Sequence, residues 1–255
     1  MSGITNNPYL ETSRDDLLRT MTAPNAGAHN AIYRGKYLGN AATTAQYDAI
    51  KAGTFEDLYI GDYWTIGGVN YRIAAFDYWL NCGDTACTDH HVVIVPDTCL
   101  YNAAMNSTNT TDGGYMNTTL NISGLAQAKN IAENVFGESH LMGRRIYLTT
   151  QVTNGIITNG DWFNDSITIM CEQMVYGSGI FSPVSNDNTI PNNCIIEKSQ
   201  LPLFQHEPSL ICNRTTWWLR NVISSADFAY VNYKGIPDYG NASTVLGVRP
   251  YFCIK

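Results

Sequence analysis

The sequence is short of charge. Only 15% of its 255 residues are Asp, Glu, Lys or Arg, and 15 basic residues against 22 acidic ones leave a formal charge of −7. Nucleic-acid binding needs clustered Lys and Arg to neutralise phosphates, so this balance excludes it as the main function. Long apolar runs are missing too, since no stretch approaches the roughly 18–20 residues that cross a bilayer. The first residues, MSGITNNPYLETSRDDLL, have neither the basic start nor the apolar core of a secretion signal. A soluble chain is expected, not inserted in a membrane and not exported by the ordinary secretory route.

Seven cysteines, at 82, 87, 99, 171, 194, 212 and 253, are odd in number and scattered, which argues against a disulfide framework. Cys82 and Cys87 (CGDTAC) could pair or bind a metal, but the spacing favours two ordinary thiols. Catalytic signatures are also lacking. There is no nucleophile elbow, zinc helix, phosphate loop, dinucleotide fingerprint or EF-hand loop. Asp84, Asp89, His90 and His91 lie close together, with Asp97 beyond, and a His pair beside Asp can bind a metal or act as a base. Strand alternation would point the two histidines to opposite faces, so a structural role is favoured. No catalytic residue, metal site or cofactor is expected.

What is present is enough apolar material for a core, 44% of residues, together with abundant Gly, Asn, Thr and Tyr. That composition fits an α+β chain of short strands and long ordered loops. Arg14–Met21 and Thr44–Ala52 read as short helices, the second capped by Thr44 and ended by Gly53. Residues 1–58 are expected to be an attachment or oligomerisation segment, and residues 59–255 the globular body. In the body, Gly67-Gly68 predicts a tight hairpin, and His91–Val95, closed by Pro96, a buried strand. The polar stretch from Asn102 to Asn121 predicts a loop braced by side-chain-to-backbone hydrogen bonds. Helical spacing predicts a helix over Leu125–Phe136 stopping at Gly137, and a second over Trp162–Tyr176 with Ile167, Ile169, Met170 and Met174 as its apolar set. Arg145–Leu148 reads as a strand and residues 177–207 as loop. Residues 217–254 read as short strands with turns at Lys234-Gly235 and Tyr239-Gly240.

The C-terminal stretch carries the functional signal. Scaffold-like ends, WWLR at 217–220 and GVRPYF at 247–252, enclose Tyr230, Tyr233 and Tyr239 interleaved with Asn221, Ser224, Asp227, Asn232, Asp238 and Asn241. Tyr gives large contact area with little side-chain entropy, and Ser and Asn give adaptable hydrogen bonds, as in binding surfaces. The same composition also suits a Tyr-rich edge hairpin whose rings cover core, and composition alone does not separate the two.

The pattern WWLR … FAYV … G … AS … GVRPYFCI in residues 217–254 resembles the variable region of target proteins of diversity-generating retroelements. GDYWTIGGVNYRIAAFDYW, TDHHVVIVPD and QLPLF are similar to stretches of phage and prophage proteins with a related domain, so the likeness covers most of residues 59–255. The resemblance implies a C-type lectin-like fold of the formylglycine-generating branch, in which first and last strands pair and a loop-rich excursion displays residues on a small sheet. It also implies error-prone copying at template adenines, which turns Asn codons into many others. Asn221, Ile223, Ser224, Asp227, Tyr230, Asn232, Tyr233, Ile236, Asp238, Tyr239, Asn241, Thr244 and Leu246 fit descent from such codons and form the expected ligand-binding face (region about 217–250). Trp218, Lys234, Arg249, Gly235 and Gly247 are then fixed scaffold.

Two departures narrow the expectation. Cys212 and Cys253 bracket the stretch without the context of the formylglycine-generating cysteine pair, and Glu207-Pro208-Ser209 lacks the Asn of the calcium-binding lectin triplet. Neither that oxidase activity nor calcium-dependent sugar binding is expected. The expected protein is a receptor-binding component of a phage tail or virion surface, made in the host bacterial cytoplasm. Its expected partners are a bacterial surface ligand, other virion components and copies of itself, for instance as a trimer. The competing readings are an enzyme, of formylglycine-generating type or metal-dependent through His90, His91, Asp89 or Cys87, and a structural virion component without a ligand.

Overall fold

VNYRIAAF and VVIVP are among the most apolar runs of the chain, and they become adjacent strands at its centre. The computed structural model describes residues 25–182, 184–185 and 199–255. The strands are β1 (Tyr37–Gly39), β2 (Tyr63–Ile66), β3 (Val69–Phe76), β4 (Val92–Pro96), β5 (Tyr101–Ala103), β6 (Arg144–Thr153) and β7 (Ile156–Asp165). They continue with β8 (Ile167–Ile169), β9 (Val184–Ser185), β10 (Trp217–Val222), β11 (Asp227–Val231), β12 (Pro237–Asn241), β13 (Leu246–Val248) and β14 (Pro250–Ile254). The helices are α1 (Ala26–Asn30), α2 (Thr44–Lys51), α3 (Leu125–Phe136), α4 (Glu172–Tyr176) and α5 (Pro202–His206). The chain is thus an α+β protein dominated by sheets. No helix among the described residues is long and apolar enough to cross a membrane.

A six-stranded sheet runs β1-β2-β3-β4-β14-β8, a five-stranded sheet β12-β11-β10-β13-β5, and a three-stranded sheet β6-β7-β9. The β2–β3 hairpin turns at Gly67 and Gly68, both with positive φ (60° and 81°), the backbone a two-residue primed turn requires. β14 is buried at every position and lies antiparallel to both β4 and β8. Its place between β4 and β8 pairs both of its edges, and the side chains of PYFCI are buried in the core. The first strand of residues 59–255, β2, pairs instead with β1 and β3. The expected pairing of first and last strands is therefore not the arrangement found.

Helix α3 begins and ends as its spacing predicts. Leu125, Ala128, Ala132 and Phe136 are its buried face, and Gly137 (φ 86°) stops it. The Phe136 ring sits edge-on or tilted against Trp64, Tyr71 and Phe252, with centroids 5.6, 5.7 and 5.6 Å away. In α2 the cap is Thr43, not Thr44. Thr43 and Gln46 form a reciprocal capping box, and Gly53 (φ 68°) follows the last turn.

Three sequence expectations need correction or limits. The helix expected over 162–176 exists only as α4, because Trp162–Asp165 pair with β6 and Ile167–Ile169 pair with β14. The turn expected at Tyr239-Gly240 lies inside β12, opposite Ala229 and Phe228. Its glycine has a packing reason: a Cβ at Gly240 would stand 3.0 Å from Cε1 of the Tyr230 ring. The helix expected over 14–21 falls outside the described residues. Residues 25–58 share the core of the body, with Ile50, Phe55 and Leu58 fully buried in it and Arg34 bridging Asp57 and Asp62.

Candidate functional site

The five-stranded sheet begins from a sealed base. Trp217 and Trp218 are fully buried in β10, and Trp218 Nε1 donates to the Ala103 carbonyl of the far strand β5. Arg249 is also fully buried. Its Nε donates to the Pro96 carbonyl and Nη1 to that of Leu210, and the guanidinium lies 5.1 Å from the Trp217 ring and 5.6 Å from that of Phe204. Burial lowers its pKa to about 10. Of the residues expected to be scaffold, Trp218, Gly247 and Arg249 belong to this sealed layer.

On that base the β11–β12 hairpin projects. Its register pairs Asp227 with Asn241, Ala229 with Tyr239 and Tyr230 with Asp238. Strand alternation therefore places Asp227, Tyr239 and Asn241 on one face and Tyr230 and Asp238 on the other. The expected face is divided by the pleat and wraps round an edge strand. Tyr239 is 46% exposed, and the turn between the strands lifts Tyr233 (57%) and Ile236 (52%) into solvent. Asn232 builds that turn, its Oδ1 accepting from the Lys234 and Ile236 N–H groups. Gly235 (φ 80°) approaches Cys212 so closely that a Cβ there would stand 2.9 Å from the Cys212 Cβ.

The remaining positions differ in kind. Ser224 closes the β10–β11 turn, accepting from the N–H groups of Ala226 and Asp227 and donating to the Asp227 carboxylate. Ile223 and Leu246 are half-buried against the core, while Asn241 and Thr244 are exposed. Tyr230 is half-buried, its ring edge-on to Trp218 at 6.0 Å. Burial raises its phenol pKa, with Asp238 adding to the effect. Asn221 must be withdrawn from the exposed face. It is only 9% exposed, its Oδ1 accepts from the Glu172 N–H, and its Nδ2 donates to Ser182 Oγ at 2.7 Å.

Sequence reasoning missed Ile180 and Phe181, 45% and 36% exposed, although the Phe181 ring packs edge-on to Tyr239 at 5.1 Å. The only local signal was an apolar pair stranded in GSGIFS, with no periodicity to explain it.

The outer edge of β12, with which no strand pairs among the described residues, is partly blunted. Cross-strand bonds from Asn232 N–H to Ile236 O and from Ala242 N–H to Ala226 O fix the alternation, so residues 237, 239 and 241 turn their backbone outward. Pro237 has no N–H, the Tyr239 N–H donates to its neighbour Asp238, and the Asn241 carbonyl accepts from Thr244. These features remove part of the hydrogen-bonding edge that another strand would use.

Away from this sheet, His90 and His91 diverge. His90 Nδ1 faces the Asp77 carboxylate at 2.7 Å, with the side chain 40% exposed and its ring over Gly53. His91 is fully buried, taking the Trp79 N–H on Nε2 and facing the Asp89 carbonyl with Nδ1. No group of three or more potential metal ligands is assembled among the described residues. Cys82 and Cys87 are free thiols joined through their backbones, the Cys87 N–H donating to the Cys82 carbonyl. Cys194 lies outside the described residues.

These thiols make a direct test of burial. Cys212 is exposed, whereas Cys82, Cys171 and Cys253 are buried, and burial pushes the Cys253 pKa up to about 12. Iodoacetamide at pH 8 is expected to label Cys212 in the folded protein and those three only after unfolding, read by peptide mass spectrometry. Uniform labelling without denaturant would contradict the packing. No family model matches the chain, and no curated protein or solved structure does either.

Proposed function

We propose that the protein is a ligand-binding component of a phage tail or virion surface whose C-terminal hairpin contacts a bacterial surface ligand. In this reading the body has a C-type lectin-like fold, the hairpin and its flanks are the diversified region of a retroelement target protein, and residues 1–58, of which 25–58 also pack into the core of the body, attach it to the particle. The carrying observation is the sharp division of burial in residues 217–250. Tyr233, Ile236 and Tyr239 stand in solvent, while Trp217, Trp218, Phe228, Val231 and Arg249 are sealed beneath them. Exposed positions on such a base can change at a cost usually within about ±0.5 kcal/mol each, so the surface can vary while the fold persists. The return of β14 into the large sheet, with residues 217–248 held out on a second small one, supports the lectin-like reading; the separation of β14 from β2, the first strand of the body, departs from it. Copies gathered in an oligomer would strengthen weak single contacts by avidity.

Particles carrying Tyr233→Ala and Tyr239→Ala together are expected to lose adsorption to their host, while the melting temperature of the purified variant shifts by no more than about 4 °C. Adsorption at the wild-type rate would remove the ligand-binding reading. Equal loss of folding and adsorption would make the rings structural.

A further inference from the structure

We propose that Cys82 and Cys87 form a redox modification site, a reversible disulfide that a low-molecular-weight disulfide such as oxidised glutathione closes across the turn between them. The inference is independent of the ligand-binding reading above.

Spacing alone reads as two ordinary thiols, but the fold brings them together. Asn81 (φ 62°) and Gly83 (φ 106°) turn the chain back on itself. The Cys87 N–H then donates to the Cys82 carbonyl at 3.0 Å, and the Asn81 N–H to the Cys87 carbonyl at 2.7 Å. Backbones bonded this directly hold two Cα atoms within the about 4.4–6.8 Å that a disulfide spans. Neither thiol is committed to a strong partner. Cys82 Sγ donates to the Leu80 carbonyl at 3.6 Å and Cys87 Sγ to the Asp89 carbonyl at 3.9 Å, weak bonds that a side-chain rotation gives up cheaply. Burial raises the Cys87 pKa, Arg144 works against that, and Cys82 lies close enough to add to it.

The two sulfurs differ in access, which sets the order of events. Cys82 is 3% exposed, whereas Cys87 lines an open cleft of about 410 Å³ with Thr85, Thr88, Arg144 and Asn164. The Cys87 thiolate attacks one sulfur of oxidised glutathione, forming a mixed disulfide and releasing one glutathione thiolate. The Cys82 thiolate then attacks the Cys87 sulfur and releases the second. The two cysteine protons end on the two departing glutathione thiolates, and two electrons pass from the cysteines to glutathione. Within the closed turn, Asp84 accepts from Nε (2.9 Å) and Nη2 (2.8 Å) of Arg145 at the root of β6. A partly exposed ion pair holds little by itself, so the covalent link is what pins the turn to β6. In a reducing compartment a bond as accessible as this one reopens.

The test treats the full reduced chain with oxidised glutathione at pH 8, removes the reagent, blocks remaining thiols with iodoacetamide in denaturant and cleaves on the N-terminal side of Asp residues. Cleavage before Asp84 puts the two cysteines on separate peptides. Mass spectrometry is expected to recover these peptides joined in most chains, two hydrogens lighter than the separate pair. Cys82→Ser is expected to keep glutathione on Cys87. The joined chain is expected to melt about 4 °C or more above the reduced one, with no such shift in the double variant Cys82→Ser/Cys87→Ser. Glutathione left on Cys87 while Cys82 is intact, Cys87 joined to the buried Cys253, or both thiols still reduced would each overturn the site. A joined turn whose melting temperature stays within about 1 °C of the reduced chain would overturn its hold on β6.

Discussion

Asp165→Ala is expected to lower the free energy of unfolding by about 3–5 kcal/mol, the usual cost of removing one partner from a buried ion pair. Asp165 accepts from Nη2 of Arg144 at 2.9 Å, and the two side chains are 6% and 1% exposed. The Arg144 guanidinium lies between the rings of Trp79 (5.0 Å) and Tyr251 (4.8 Å), and Arg220 donates to the same Tyr251 hydroxyl. Burial works against the charge on Arg144, but Tyr251 and Asp165 outweigh it and hold the group above its usual pKa. Without Asp165 the cation cannot shed its proton at neutral pH, so either water enters or the fold loosens. Adding Arg144→Met to Asp165→Ala removes the stranded charge and is expected to restore at least half of the loss. Urea unfolding with unchanged slope is the measurement. A single-variant cost below about 1 kcal/mol would mean that the pair is hydrated.

Asn221→Ala is expected to cost about 2–3 kcal/mol, against no more than about 0.5 kcal/mol for Asn241→Ala on the same hairpin system. The two residues are chemically identical and both fit descent from a template Asn codon. Their surroundings separate them. Asn221 satisfies the buried Glu172 N–H and holds Ser182, whereas Asn241 points into solvent. Thermal or urea unfolding of the two variants side by side decides the matter, and equal effects would return Asn221 to the variable face. If the retroelement reading holds, Asn221 is a position that diversity must leave nearly alone.

The contrast shows what kind of information a sequence carries. Helix α3 and the β2–β3 hairpin were legible because their signals are local: a helical repeat ended by Gly137, and two glycines free to take positive φ. The stretch from Trp162 to Tyr176 misleads because Ile167, Ile169, Met170 and Met174 satisfy helical spacing, while Ile167 and Ile169 pair with Phe252 and Pro250 of β14 and only Met174 lies in a helix. Gly240 looked like a turn residue because the ring that needs its missing side chain belongs to Tyr230. The candidate face followed the same rule. Tyr233, Ile236 and Tyr239 were found from composition, whereas the burial of Asn221 depends on Glu172, 49 positions away, and Phe181 enters the site only through Tyr239. Local chemistry was readable, and pairing across the chain was not.

The position of β14 bears on how the protein is made. Until residues 250–254 leave the ribosome, β4 and β8 have no common neighbour, and the large sheet exists only as separated pieces with apolar flanks. Long-range closure of this kind is slow and leaves the nascent chain exposed to chaperones and proteases while it waits. A frame error anywhere in residues 217–249 therefore removes the key that locks the sheet.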